Sequence, residues 1–287
     1  MDMTAWNDSN SCGQLKKPLE IYMFIDPLCP ECWALEPIMK KLQIQYGRFF
    51  TLKHVVSSKL ARLNTAAQTP ENIADSWEKT ACRTGMSCDG SLWFENPISA
   101  PYLASMAIKA AELQGKRAAS KFLRILQEFL FLKKENISHL DILLECAKTV
   151  GLDTEEFMKD IHSASVAKAL QCDLKISSEM EVSEIPTLVF FNENIEDEGL
   201  KVTGLYPFKV YVQILSELLD EEPEPAPTPS LNAFLKHYKV VASKEIAEVY
   251  EMSISEVEKE MKKWALQQKV KKIPAKHGSF WKYIESK

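Results

Sequence analysis

Several features that would narrow the role of this chain at once are missing from it. No apolar run among its 287 residues approaches the roughly 18–20 residues of a membrane-spanning helix, so no membrane association is expected. The opening MDMTAWNDSNSCGQLKKP has no basic start leading into an apolar segment, and no secretory leader is expected. Positive charge is not in excess. The 35 Lys and Arg against 40 Asp and Glu leave a formal −5, which gives no support to nucleic-acid binding by the chain as a whole. The five histidines, at 54, 139, 162, 237 and 277, are scattered and supply no second half to a zinc site. Neither a metal nor a cofactor is expected. The seven cysteines are odd in number, and a single pair has a recognisable spacing. Together with the expected absence of a leader, that usage points to a reducing compartment and a cytoplasmic protein.

What is present begins with an ordinary globular composition, 46% hydrophobic and 26% charged, in a length comfortable for two domains. Leu19–Ile25 is a short apolar and β-branched run without helical gaps, and it stops at Asp26-Pro27, so it reads as a buried strand. Cys29-Pro30-Glu31-Cys32 follows, and from Trp33 the apolar residues Leu35, Ile38, Met39 and Leu42 recur at helical steps. The two cysteines thus sit where a strand ends and a helix begins. Free N–H groups and the positive helix end suit an anionic sulfur at Cys29, and Cys32 lies one turn on, within disulfide reach. A Cys-x-x-Cys alone is a weak signal, because zinc knuckles use it; the strand–motif–helix context is what indicates a thioredoxin-like fold. Glu31 works against oxidase chemistry, since a carboxylate between the cysteines makes the pair a weaker oxidant. Redox turnover is not expected as the main activity.

Residues 49–56 form a second strand candidate, and a helical insertion over about 58–182 follows. Within it helices are predicted at 76–82, 101–113, 116–132, 138–150, after the cap Asp153, and at 165–180. Strands resume at 185–191 and 198–204, and 207–219 reads as a closing helix. Pro186 stands at the head of a core strand with no N–H for the ladder, and its X-Pro bond is a candidate for the cis form. Cys82 and Cys88 read either as a second pair or as unrelated thiols, Cys146 and Cys172 as core residues, and Cys12 as an isolated thiol in a loose arm over 1–17.

Residues 220–230, DEEPEPAPTPS, hold four prolines and three glutamates beyond Asp220 and read as an extended, semi-rigid spacer between residues 18–219 and 231–287. The last segment has twelve Lys against seven Glu, a formal +5. It reads as helices at 231–241, 244–250 and 253–268 and a hairpin of strands at 269–274 and 279–284, the order of a winged helix. Glu256, Glu258 and Glu260 head the helix that would enter a DNA groove, so nucleic-acid binding is not expected. Lys262, Lys263, Lys269, Lys271 and Lys272 form either a docking face for an acidic protein surface or a solvated one.

Asp26-Pro27-x-Cys29-Pro30-x-Cys32-Trp33, a helical insertion and then Ile185-Pro186-Thr187 before a strand resemble the DsbA-like branch of the thioredoxin superfamily, over roughly residues 19–219. That resemblance implies a cis-proline loop at Pro186 facing Cys29. Longer stretches, KKPLEIYMFIDPLCPECWALEP and KEIAEVYEMSISEVEKEMKKWA, with GRFF, Ser87-Cys88-Asp89-Gly90 and Ala169-Leu170-Gln171-Cys172-Asp173, make the whole chain similar to the ClpXP adaptor family of Firmicutes known as YjbH or SpxH. The resemblance implies an adaptor that binds the redox-responsive transcription regulator Spx and promotes its degradation by the ClpXP protease, contacted directly or through Spx. Cys29 and Cys32 would be a redox-capable pair without turnover. The alternative left open is a cytosolic DsbA-like thiol–disulfide oxidoreductase using the same two cysteines. The expected fold class is therefore α/β, thioredoxin-like with a helical insertion, plus a small C-terminal winged-helix-like domain.

Overall fold

A computed structural model describes residues 17–57, 69–194 and 196–285; Cys12 and the expected arm up to residue 16 lie outside the described residues. Four strands, β1 (Leu19–Ile25), β2 (Phe50–Val56), β3 (Thr187–Phe191) and β4 (Leu200–Thr203), form a sheet in the order β2-β1-β3-β4. β1 and β2 run parallel through the crossover helix α1 (Pro30–Tyr46), while β3 and β4 are antiparallel to their neighbours. The unbroken apolar character of β1 follows from burial on both faces. Leu19, Ile21, Met23 and Ile25 enter the main core, and Phe24 packs with Val55 and Val189 on the other face.

Among the described residues, seven helices lie between β2 and β3: α2 (Pro70–Thr84), α3 (Leu92–Glu95), α4 (Tyr102–Leu113), α5 (Lys116–Lys133), α6 (Leu140–Val150), α7 (Thr154–Asp160) and α8 (Ala164–Glu179). α2 is about twice the length expected at 76–82. Its limits are set by local chemistry: Thr69 caps the Asn72 N–H, Pro70 takes the first helical position, and Gly85 closes the helix in the left-handed region. Cys172 on α8 corrects another expectation, because it is exposed. The inward position beside it belongs to Asp173, which accepts the Val56 N–H at 2.9 Å and pairs with Lys109 at 3.0 Å. Asp173 continues the inward stripe of Val166 and Leu170, which leaves Cys172 on the outer side of the helix.

After the closing helix α9 (Phe208–Leu219), residues 220–230 run without helix or strand along the end of α1. The Ala226 N–H donates to Gln45 O at 2.7 Å, Arg48 donates to Glu224 O, and the Tyr250 hydroxyl donates to Pro229 O at 3.1 Å. The final unit comprises α10 (Leu231–Tyr238), β5 (Val240–Ala242), α11 (Ser243–Tyr250), α12 (Ile254–Leu266), β6 (Val270–Ile273) and β7 (Phe280–Tyr283). Its antiparallel sheet, in the order β5-β7-β6, completes a winged-helix arrangement. The helix expected over 231–241 stops at Tyr238. Lys239 adopts φ +62° and Val240-Val241 pair with Lys282 and Trp281, where β-branched side chains fit better than in a helix.

The two units share α1. Ile44 belongs to the apolar cluster of the last unit, with Phe234, Val241 and Trp281, whereas Ala242 and Phe280 belong to the main core. Buried charges reinforce the junction. Arg124 on α5 donates to both carboxylate oxygens of Glu245, at 2.9 and 3.1 Å, and to Glu128 at 2.8 Å; Lys40 on α1 also pairs with Glu245. Glu245 has no solvent exposure, and its remaining partner is the Ala242 N–H at 2.6 Å. One carboxylate therefore joins α1, α5 and α11.

Candidate functional site

The Asp26-Pro27 turn carries the chain from β1 into α1. The Leu28 N–H donates to Asp26 Oδ1 at 2.9 Å and the Cys29 N–H to Asp26 O at 3.0 Å. Cys29 then serves as the N-cap: its Sγ accepts the Cys32 N–H at 3.4 Å, and Pro30, which has no N–H to satisfy, occupies the first helical position. Cys29 is half-buried and Cys32 is 1% exposed, both as free thiols. Opposite them the Ile185–Pro186 bond is cis, and the Cys29 thiol lies 3.8 Å from Ile185 O. The Gly204 N–H donates to Pro186 O at 2.8 Å, which ties that loop to the end of β4. The fold thus brings Cys29, Cys32 and Pro186 together.

Burial, followed by the hydrogen bond and charge of Cys29, pushes the Cys32 thiol well above its usual range. Cys88 is fully buried as well, and burial and then the nearby Cys29 raise it in the same direction. Cys82 and Cys88 are both free, the first exposed and the second not. Glu31, whose charge the sequence sets between the cysteines, is not a bare carboxylate: Arg83 of α2 pairs with it at 2.7 Å. Alkylation of the native protein by iodoacetamide at pH 8, mapped by mass spectrometry, is expected to label Cys29 while Cys32, Cys88 and Cys146 stay unmodified until denaturant is added. Labelling of Cys32 at the rate of Cys29 would contradict this geometry.

The partners that pack around the site come from distant elements. Trp33 is fully buried, stacked against Phe131 and Phe280 at centroid distances of 5.8 and 6.0 Å. Arg124 lies 4.2 Å over its ring, and its Nε1–H donates to Ser87 O at 3.1 Å. Position 33 follows the motif, but nothing in its spacing announces partners at 124 and 280. His277, one of the scattered histidines, lies in the β6–β7 turn and its Nδ1 is 3.8 Å from Cys82 Sγ on α2. Lys262, Lys263, Lys269, Lys271 and Lys272 are all exposed. Among the described residues, no three His, Cys, Asp or Glu side chains converge as metal ligands, and no helix is long and apolar enough to cross a membrane.

A dithiol capping a helix after a central strand, faced by a cis-proline loop, with helices inserted before β3, defines a DsbA-like member of the thioredoxin superfamily. A family model described as thioredoxin matches residues 22–213. Solved chains of the same fold include a cytosolic disulfide reductase, DsbM, from Pseudomonas aeruginosa (TM-score 0.54, 15% identity, covering 69% of this chain and 99% of that one). Another is described as a probable DsbA oxidoreductase from Streptomyces coelicolor (TM-score 0.55, 16% identity, covering 74% and 94%). At such identities the likeness is one of fold, which does not select a chemistry. Much greater similarity runs to the ClpXP adapter protein SpxH of Bacillus subtilis, 57% identical over 276 residues that cover 96% of this chain and 92% of that protein. The chain belongs to the SpxH family of ClpXP adapter proteins.

Proposed function

We propose that this chain is a cytoplasmic adaptor that binds the transcription regulator Spx and brings it to ClpXP, by holding it rather than by exchanging disulfides with it. The observation that carries this reading is where the kinship extends. The match to SpxH relatives spans 96% of the chain, whereas the thioredoxin family model ends at residue 213. Beyond residue 213 lies a winged unit packed on the dithiol helix, with exposed lysines suited to an acidic protein surface. Chemistry confined to Cys29 and Cys32 has no need of that unit. Purified ClpXP degrading Spx with and without this chain is the test: faster loss of Spx is expected, and an unchanged rate rejects the proposal.

The geometry around Cys29 favours a second reading, a cytosolic thiol–disulfide oxidoreductase. In it Cys29 attacks a disulfide, Cys32 resolves the mixed disulfide, and Pro186 orients the substrate. An insulin-reduction assay separates the two. Activity above that of a Cys29→Ala/Cys32→Ala variant supports the enzyme, and activity equal to it ends that reading.

A further inference from the structure

A second thiol is embedded in a constellation that the CxxC site does not use. Cys82, near the end of α2, is exposed, and its Sγ lies 3.8 Å from His277 Nδ1. The other ring nitrogen, Nε2, is 2.5 Å from Glu78 Oε2. The remaining oxygen of Glu78 is occupied: Oε1 accepts Lys276 Nζ at 2.7 Å and the Gly90 N–H at 2.9 Å. Burial alone would raise the Glu78 carboxyl, but Lys276, His277 and the Gly90 N–H together outweigh it and hold it below the usual range. An ionised carboxylate only accepts, so Nε2 carries a ring proton toward Glu78, and in the neutral imidazole Nδ1 then keeps its lone pair toward Cys82. Sulfur, imidazole and carboxylate thus stand in the order that activates a nucleophile.

The backbone holds His277 in place from both sides. Its N–H donates to Ser87 Oγ at 3.3 Å. The next residue, Gly278, has φ +64° and approaches the α2 cap so closely that a Cβ there would stand 2.4 Å from Gly85 O. The turn therefore sets the imidazole against α2, although the two residues are 195 positions apart.

We propose that Cys82 is a thiolation site, at which His277, oriented by Glu78, promotes formation of a mixed disulfide with small-molecule disulfides. The Cys82 thiol passes its proton to Nδ1 as its sulfur attacks one sulfur of the disulfide RSSR. The Cys82–S–S–R bond forms as the R–S–S–R bond breaks, and the departing thiolate takes the proton back from His277. Cys82 is oxidised and the leaving sulfur is reduced; no other oxidant enters. This site is independent of the dithiol and of the adaptor reading, and it lies where α2 meets the β6–β7 turn.

Cys172 supplies an internal reference, because it is also exposed and no histidine hydrogen-bonds it among the described residues. The full chain is treated with hydroxyethyl disulfide, a neutral probe, and adducts at each cysteine are timed by peptide mass spectrometry. Cys82 is expected to react about tenfold faster than Cys172, and His277→Gln to remove most of that difference while the Cys172 rate stays the same. Glu78→Gln, which leaves the ring in place but unoriented, should slow Cys82 in the same direction. Equal rates at Cys82 and Cys172 in the unmodified chain would overturn the proposal without recourse to any variant. So would a Cys82 rate that is unchanged or faster in a His277→Gln protein with an unaltered thermal midpoint.

Discussion

Glu245→Ala is expected to destabilise the protein by roughly 3–5 kcal/mol, because it strips the shared carboxylate from two buried cations. Arg124 loses both of its contacts at 2.9 and 3.1 Å, Lys40 loses its pair, and the Ala242 N–H at the start of α11 loses its acceptor. For a chain of this size that corresponds to a fall in the thermal midpoint on the order of 10 °C. Thermal denaturation followed by circular dichroism reads it directly. The contrast is Glu251→Ala on the neighbouring pair with Lys41, whose carboxylate is 74% exposed. That change is expected to cost less than about 1 kcal/mol. If the two variants lose equal stability, the buried network does not join the units as described.

The same network has a pH signature. Burial would raise Glu245, but Arg124 and Lys40 outweigh it and hold its carboxyl below the reference value of 4.5. A carboxylate lowered on folding contributes stability that is fully present above the unfolded value and is lost as pH falls through the folded one. Glu128 opposes this, since burial leaves it raised despite Arg124. Subtracting the profile of Glu245→Ala from that of the unmodified chain isolates the first effect. The stability difference between them is expected to be full at neutral pH and to shrink below about pH 4.5.

Trp33→Ala is the second large effect, expected at about 3–5 kcal/mol. The change opens a void among Phe131, Phe280 and the Arg124 guanidinium, and leaves Ser87 O without its donor. The loss should also reach the site. Cys32 is the residue before Trp33 and owes its protection to the packing of that turn, so its alkylation in the native state should become measurable in the variant. Trp33→Phe keeps a ring between the two phenylalanines and should lose less. Urea denaturation with parallel thiol mapping checks both parts; full stability in Trp33→Ala would mean that this ring does not anchor the last unit to α1.

How much of this was legible in the sequence depends on the range of the interaction. β1, the CxxC motif and the start of α1 are contiguous, and their signals are local: an apolar run, a turn, a cap and a helical period. The helices α4 and α5 follow from apolar spacing, with a proline at the start of the first, and α6 from Ser138-x-x-Asp141 and Gly151 at its ends. α2 was read short because its apolar stripe is sparse, although Thr69-Pro70 and Gly85 marked its ends. Cys172 was misplaced because the stripe on α8 does not reveal that a buried Asp173 is held by Lys109 and Val56. The strand β5 was absorbed into a helix because its partner, β7, lies some forty residues further on. Arg124 is one of several charges on an amphipathic helix, and Glu245 is a first-turn carboxylate. Their meeting is 121 positions apart in sequence, and no local period encodes it. Cys82 and His277 were each visible, but only the β6–β7 turn brings them together.

In the proposed role the thioredoxin-like frame with its winged unit delivers Spx by binding, and the dithiol is dispensable. The most direct measurement is degradation of Spx by purified ClpXP under reducing conditions, with the Cys29→Ala/Cys32→Ala chain in place of the unmodified one. The same acceleration is expected from both proteins. A double variant that folds normally yet leaves Spx degraded no faster than without any adaptor would contradict it.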